Sequence, residues 1–152
     1  MNLRLRIPPL AVTVAAGTLA WAIARFFPAL ELGLLARAWL AVGFVLLGSA
    51  CSLLGVATFR LARTTVNPLQ PEAATTLVVS GIYRFSRNPM YLGFLWLLLG
   101  ELAWLANPIA LLAAPAFVVY LNRYQIVPEE QGLHQRFGLE YALYTARVRR
   151  WL

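Results

Sequence analysis

Three places in this chain hold side chains that do chemistry, and each borders an uncharged run. The first is Gly81-Ile82-Tyr83-Arg84-Phe85-Ser86-Arg87-Asn88-Pro89-Met90-Tyr91-Leu92-Gly93. Asn88 suits a helix N-cap and Pro89 the first helical turn, so a helix is predicted to start there. A helix N-terminus beside Arg84 and Arg87 attracts a carboxylate or a phosphate. Gly93, one turn in, allows a ligand or another backbone to come close. An aromatic and basic belt that anchors a membrane span is the plainer use of the same residues. The second place is Pro128-Glu129-Glu130. Pro tolerates a first helical turn and Glu complements its dipole, so a helix is predicted to begin here too. His134, four residues past Glu130, is the one side chain whose ordinary pKa lies near 6.5. The third is Glu101, a lone carboxylate inside a long apolar stretch and a site candidate on that ground.

What is missing narrows the chemistry. All 13 basic residues are Arg and all 6 acidic residues are Glu, with one His and one Cys, Cys51. A zinc site needs three or four His, Cys or carboxylate ligands, and no metal is expected. Without Lys there is no P-loop and no Schiff base. Without Asp there is no paired-Asp site, and one Cys forms no internal disulfide. The net charge of +7 suggests nucleic acid at first sight. A nucleic-acid binder presents its basic residues on a soluble face, whereas these Arg residues sit between apolar runs, so no nucleic-acid partner is expected.

The elements that must carry these groups follow from composition. The chain of 152 residues is 61% apolar and 12% charged. Soluble domains carry about 25% charged residues, so this one reads as an all-α integral membrane protein. Ile7–Ala24 and Ala38–Phe59 are uncharged runs of spanning length, at about 20 residues per 30 Å of hydrocarbon. Asn88–Gly100 and Leu102–Asn122 flank Glu101 and predict a short hairpin, about Tyr91–Ala106 and Pro108–Tyr120, turning at Asn107-Pro108. That makes about four transmembrane helices. The first run reads as a retained anchor rather than a signal peptide. Gly48, Cys51, Ser52 and Gly55 predict close helix packing.

Two amphipathic helices are expected in the tail, one ending at Gly138 and one over about Leu139–Arg150. Leu133 and Phe137 lie on one face of the first, and Tyr141, Tyr144 and Val148 on one face of the second. Those faces should lie on the membrane surface or cap the bundle. Arg4, Arg6, Arg60, Arg63, Arg84, Arg87 and the tail Arg residues place both termini in the cytoplasm by the positive-inside rule, in an inner or plasma membrane.

LVVSGIYRFSRNPMYLG, an apolar hairpin, and NRYQIVPEEQGLHQRFGLEYALYTARVRRWL together resemble the isoprenylcysteine carboxyl methyltransferase and phospholipid methyltransferase superfamily. These are integral membrane enzymes that use S-adenosylmethionine. The resemblance runs from about Thr64 to the C-terminus. It rests on an Arg-His-Pro-x-Tyr-x-Gly run, a Glu-Glu pair and a Phe-Gly-x-x-Tyr-x-x-Tyr run, in that order. Asn88 stands where much of the family has His. An amide keeps the hydrogen bonding but takes up no proton near neutral pH.

The resemblance implies one membrane domain, with two N-terminal spans over 1–63 and a cofactor-binding core over 64–152. It implies an S-adenosylmethionine pocket between the last hairpin and the C-terminal segment, open to the cytosol. Tyr83, Arg87, Asn88, Pro89, Tyr91 and Gly93 would line it from one side, and Glu129, with Tyr141, from the other. Glu130 and Arg136 are the expected catalytic pair: Arg136 holds an anionic acceptor and Glu130 orients it or takes its proton. The partners implied are a lipophilic or lipid substrate and the membrane lipids. The alternatives are a small four-span transporter, which would not need this tail, or a non-catalytic lipid-binding membrane protein that kept the fold.

Overall fold

The computed structural model describes residues 7–62 and 76–152. Arg4, Arg6, Arg63, Asn67, Pro68 and Pro71 lie outside the described residues. The described chain is all-helical. Helix α1 spans Pro9–Phe26 and α2 Leu34–Leu61. A 3-10 turn at Gly81–Arg84 leads into α3, Pro89–Leu105. A second 3-10 turn, Ala110–Leu112, opens α4, Ala113–Leu121. A π-helical turn at Asn122–Ile126 joins α4 to α5, Val127–Phe137, and α6 follows at Leu139–Arg147.

Three helical stretches are long and apolar enough to cross a membrane: Pro9–Phe26, Leu34–Leu61 and the continuous Ala110–Phe137. The fourth expected span, α3, has 17 residues, about 26 Å at 1.5 Å per residue. It is the central helix. It contacts α1, α2 and α4, and Leu92, Gly93, Leu98, Gly100 and Leu102 are buried on it. Leu98 and Leu102 join Phe117 and Leu121 of α4 and Ala20 of α1 in the core. The large side chains of α2, such as Trp39, Leu46 and Leu53, stay exposed as a lipid-facing surface.

Backbone contact between α2 and α3 decides how close they run. A Cβ at Gly93 would meet the Gly48 carbonyl at 2.7 Å and the Ser52 amide at 2.9 Å, and would collide with the Ser52 hydroxyl. One at Gly55 would meet the Met90 side chain at 2.6 Å, and one at Gly100 the Ala41 carbonyl at 3.1 Å. The small residues picked out at 48–55 therefore do pack a helix. Lipid tails are as apolar as Leu, so such close packing holds helices together where a hydrophobic drive is absent.

The hairpin turns where expected. Ala106 takes a left-handed conformation (φ 47°) at the end of α3. Asn107, buried, accepts hydrogen bonds from the Ile109 and Ala110 amides at 3.0 and 2.9 Å and donates to the Phe27 and Pro28 carbonyls at 2.9 and 3.2 Å. One side chain thus caps the returning arm and ties it to the end of α1.

The tail differs from expectation in two respects. Pro128 does not begin a separate helix; the helix runs through it from α4 to α5. Proline has no amide to donate and its ring crowds the carbonyl four residues back. The π turn just before it relieves this, with the Val127 amide reaching the Asn122 carbonyl five residues back. Gly138 separates α5 from α6 as expected, with φ 50°, and α6 ends at Arg147 rather than Arg150.

Gly93→Ala is expected to force α2 and α3 apart and cost about 1–3 kcal/mol. A lower thermal unfolding temperature in detergent would register this. Gly43→Ala, with nothing within 4 Å of the added carbon, serves as the control and should leave that temperature unchanged or slightly higher. Equal behaviour of the two variants would refute the close-contact account.

Candidate active site

The cleft is built where the polar ends of five elements meet. The 3-10 turn at Gly81–Arg84 lies against the end of α2. Gly81 (φ 58°) sits so close to Thr58 that an added Cβ would lie 2.9 Å from its hydroxyl. Phe59 meets the Tyr83 ring edge-on at 5.1 Å. From there the chain enters α3, whose first turn faces α5. The α6 face of Tyr141 and Tyr144 closes over the top, with the Tyr144 hydroxyl donating to the Tyr83 carbonyl at 2.8 Å.

These walls enclose about 670 Å³ of empty space, counting the open mouth. The lining includes Tyr83, Arg87, Asn88, Tyr91, Glu129, Glu130 and Tyr141. Phe59, Leu77, Val78, Met90 and Leu133 supply its apolar part. Small-molecule sites commonly combine a mostly apolar wall with a few convergent polar groups.

The two adjacent Glu residues sit in different electrostatic settings. Glu130 is shared by two guanidinium groups. Arg150 donates to both its oxygens, at 3.1 and 2.6 Å, and Arg87 approaches at 3.2 Å. Hydrogen bonding to Glu130 raises the Arg150 pKa. Glu129 is held by neutral groups: the Tyr91 hydroxyl donates a short hydrogen bond and the Gln125 amide one of 2.7 Å. Among the described residues, both side-chain ion pairs go to Glu130. Arg123, the π turn and the two Glu residues mark where this helix leaves its apolar stretch, so α5 lies beyond the spanning part. Burial there pushes the Glu129 carboxyl up to about 7, and its two hydrogen bonds only partly oppose this.

The aromatic hydroxyls remain protonated. Burial raises the Tyr83 and Tyr144 pKa values and lifts Tyr141 to about 12, with Glu130 adding to the last. Among the described residues, two buried polar atoms of the cleft have no hydrogen-bond partner, the Tyr83 hydroxyl and Arg87 Nε. Buried polar groups are nearly always paired, so an orphan points to something that binds there.

Of the residues singled out from sequence, Pro89, Gly93 and Arg136 do not border this cleft. Pro89 is fully buried at the first position of α3 and shapes the turn. Gly93 faces α2, so the close approach it permits is that of another backbone. Arg136 is exposed, near the Phe137 ring, and the arginines on Glu130 are Arg87 and Arg150 instead. Six residues along a helix advance Arg136 about 9 Å beyond Glu130 and carry it round to another face. Asn88 occupies the N-cap position, but its side chain makes no cap bond and donates to the Arg150 carbonyl at 2.9 Å. His134 is exposed and lies edge-on to Tyr141. Glu101 packs against Gly17 of α1, away from the cleft.

Sequence reading passed over Gln125 and Arg150. Gln125 lies one helical turn before Glu129, a relation hidden while Pro128 was read as a helix start. Arg150 carries no local signal beyond a basic terminus. Tyr144 was within reach, three residues from Tyr141 on the same face.

Comparison with known proteins gives a consistent picture. The sequence model of the phospholipid methyltransferase family matches residues 36–140. An uncharacterized protein of Haemophilus influenzae is 44% identical over 63 residues, which is 41% of this chain and all of that protein. Protein-S-isoprenylcysteine O-methyltransferase B of Arabidopsis thaliana is 31% identical over 126 residues, 81% of this chain and 62% of the relative. Protein-S-isoprenylcysteine O-methyltransferase of Saccharomyces cerevisiae is 36% identical over 80 residues, 51% of this chain and 32% of the relative. The alignments thus span less than two thirds of both isoprenylcysteine relatives. No solved structure gives a significant match.

Because the folded state holds a Glu129 proton more tightly than the unfolded chain, this group's contribution to stability falls as pH rises from about 4.5 toward about 7. Glu129→Gln keeps the oxygen that Tyr91 donates to and removes that loss. Its unfolding temperature should exceed that of the unaltered protein at pH 8 and converge with it near pH 5. A constant difference across that range would mean the carboxyl titrates normally. Glu101→Gln, by contrast, should leave ligand affinity at the cleft unchanged.

Proposed function

Since the chain belongs to the phospholipid methyltransferase family, we propose that it is an integral membrane methyltransferase that moves a methyl group from S-adenosylmethionine to a lipophilic acceptor. The observation that carries this reading is the unequal pair at the cleft. Glu129 offers a buried carboxylate with neutral partners, and Glu130 holds two arginines beside it.

The donor set suits this cofactor. S-adenosylmethionine, when bound, supplies a methyl group made electrophilic by a sulfonium, and it also carries an ammonium, a carboxylate and an adenosine. Glu129 is the group for a cation, supported by the ring faces of Tyr83 and Tyr91. Arg87, with its unpartnered Nε, and the first turn of α3 are the groups for the carboxylate. The unpartnered Tyr83 hydroxyl adds a donor. Asn88 and Pro89 act here by shaping that turn, and Tyr141 acts as a wall. The core that binds the cofactor is 64–152, with the two N-terminal spans as its support.

This chain's residues position more than they activate. Transfer to an oxygen, sulfur or nitrogen nucleophile needs the two partners held in line, and orientation alone accounts for much of such a barrier. An acceptor already ionised, as a carboxylate or thiolate, asks for no base. That fits a site with Asn at position 88 and with Glu130 neutralised by Arg87 and Arg150. Glu130 therefore organises the arginines rather than taking a proton. The apolar lining of Phe59, Leu77, Val78, Met90 and Leu133 keeps water from the reacting centre and suits an acceptor arriving from the bilayer.

The relatives are named for O-methylation of protein S-isoprenylcysteine, so a carboxylate beside a prenyl thioether is the first acceptor to assay. The cleft faces the cytosol in this reading. Arg60, Arg84, Arg87, Arg123 and Arg147 lie at its end of the bundle and Arg25 and Arg37 at the other.

Purified protein should bind S-adenosylmethionine and pass labelled methyl to a prenylcysteine or to an extractable membrane lipid. No binding at millimolar cofactor, with the protein folded, would sink the enzyme reading. Affinity should fall as pH drops below about 7, where Glu129 takes up a proton. Glu129→Gln should weaken binding about tenfold or more, the scale of a lost charged contact, and flatten that pH profile.

A further inference from the structure

A short segment, Val148–Leu152, leaves α6 through an extended Val148 and docks back across the polar end of the bundle. The Arg149 carbonyl accepts from the Arg87 amide at 3.0 Å. The Arg150 carbonyl accepts from the Asn88 side chain at 2.9 Å. The Trp151 indole donates to Asn122, in the π turn, at 3.1 Å. The segment is thus tied to the start of α3 and to the π turn.

Its one charged contact with the site is Arg150 on Glu130. Arg150 takes the two-bond share of that carboxylate, at 3.1 and 2.6 Å. Arg87 is left with a single approach to that carboxylate at 3.2 Å, a hydrogen bond with Tyr141, and an Nε that is buried and has no partner among the described residues. Arg87, Glu130 and Tyr141 also form the partition between the cleft and a polar groove on its far side, which Gln131, His134 and Arg150 line. A lone Glu130 would instead take the Arg87 fork for itself, since a bidentate pair is the stronger arrangement.

We propose that Arg150 is a positioning residue: by satisfying Glu130 from the C-terminal strap, it leaves Arg87 available to the anionic end of the bound ligand. This rests on the methyltransferase reading above. It also predicts where specificity resides. The strap matters for the amino-acid carboxylate of the ligand and not for its adenosine.

Two probes separate these parts. S-adenosylhomocysteine carries the amino-acid end, carboxylate and ammonium together, and 5′-methylthioadenosine lacks both. Calorimetric titration of the full-length protein in detergent should show Arg150→Ala binding S-adenosylhomocysteine about tenfold more weakly, the scale of one charge-assisted hydrogen bond. Its affinity for 5′-methylthioadenosine should stay within about twofold. Arg150→Lys, which keeps the charge but not the fork, should fall between. Hydrogen exchange at the Arg87 amide reports whether the strap stays docked, and the Lys variant decides the matter if the Ala variant releases it. Equal losses for the two probes, or no loss for either, would overturn the positioning role while leaving the methyltransferase reading intact. An unaltered protein that binds neither probe would overturn both.

Discussion

The close approach of α2 and α3 sets the position of everything at the polar end. Gly48 and Gly93 allow the two backbones to meet, and Gly55 admits the Met90 side chain at the cleft wall. With α3 pressed there, the 3-10 turn before it must lie against Thr58 and Phe59, and this puts Tyr83 into the wall. On its other side α3 meets the helix that runs from α4 into α5, and Tyr91 reaches Glu129. A shift of α3 by a side chain's width would open both contacts. The packing of two apolar helices thus places polar groups that neither helix carries on the contact itself.

The neighbouring carboxylates show how one stretch of sequence supports two roles. Glu129 points to neutral donors and its proton is held up to about pH 7 by burial. Glu130, one residue on, is turned by about 100° around the helix and meets two arginines. A buried charge without a counter-ion costs stability, and such cost is tolerated where a ligand later supplies the opposite charge. The arginine pair on Glu130 raises no such demand. Burial and partners thus set two neighbouring carboxylates apart.

Position 88 illustrates a change of use at a site residue. Where much of the family carries His, Asn88 spends its amide on the C-terminal strap. The chain's end is thereby fastened to the turn that opens α3. The methyl transfer proposed above asks for alignment rather than proton removal, and a fastened turn at position 88 is compatible with it.

Length and polarity along the chain already determined the all-helical membrane class, the two N-terminal spans, the hairpin turn at Asn107-Pro108 and the break at Gly138. Each of these is a local matter: apolar runs must form helices in lipid because no water satisfies their amides, and turn residues act on their own backbone. Most of the cleft wall was legible too, because Tyr83, Arg87, Asn88 and Tyr91 fall within nine residues and Glu129, Glu130 and Tyr141 within thirteen. The π turn that carries the helix through Pro128 and the six-residue step that turns Arg136 away from Glu130 are local as well; tertiary structure alone decided that Gly93 meets α2 and that Arg150 holds Glu130. These depend on contacts between residues far apart in the chain, as with the 20 positions from Glu130 to Arg150 or the 62 from Asn88 to Arg150. No local propensity encodes such partners; they exist only once packed helices bring the segments together.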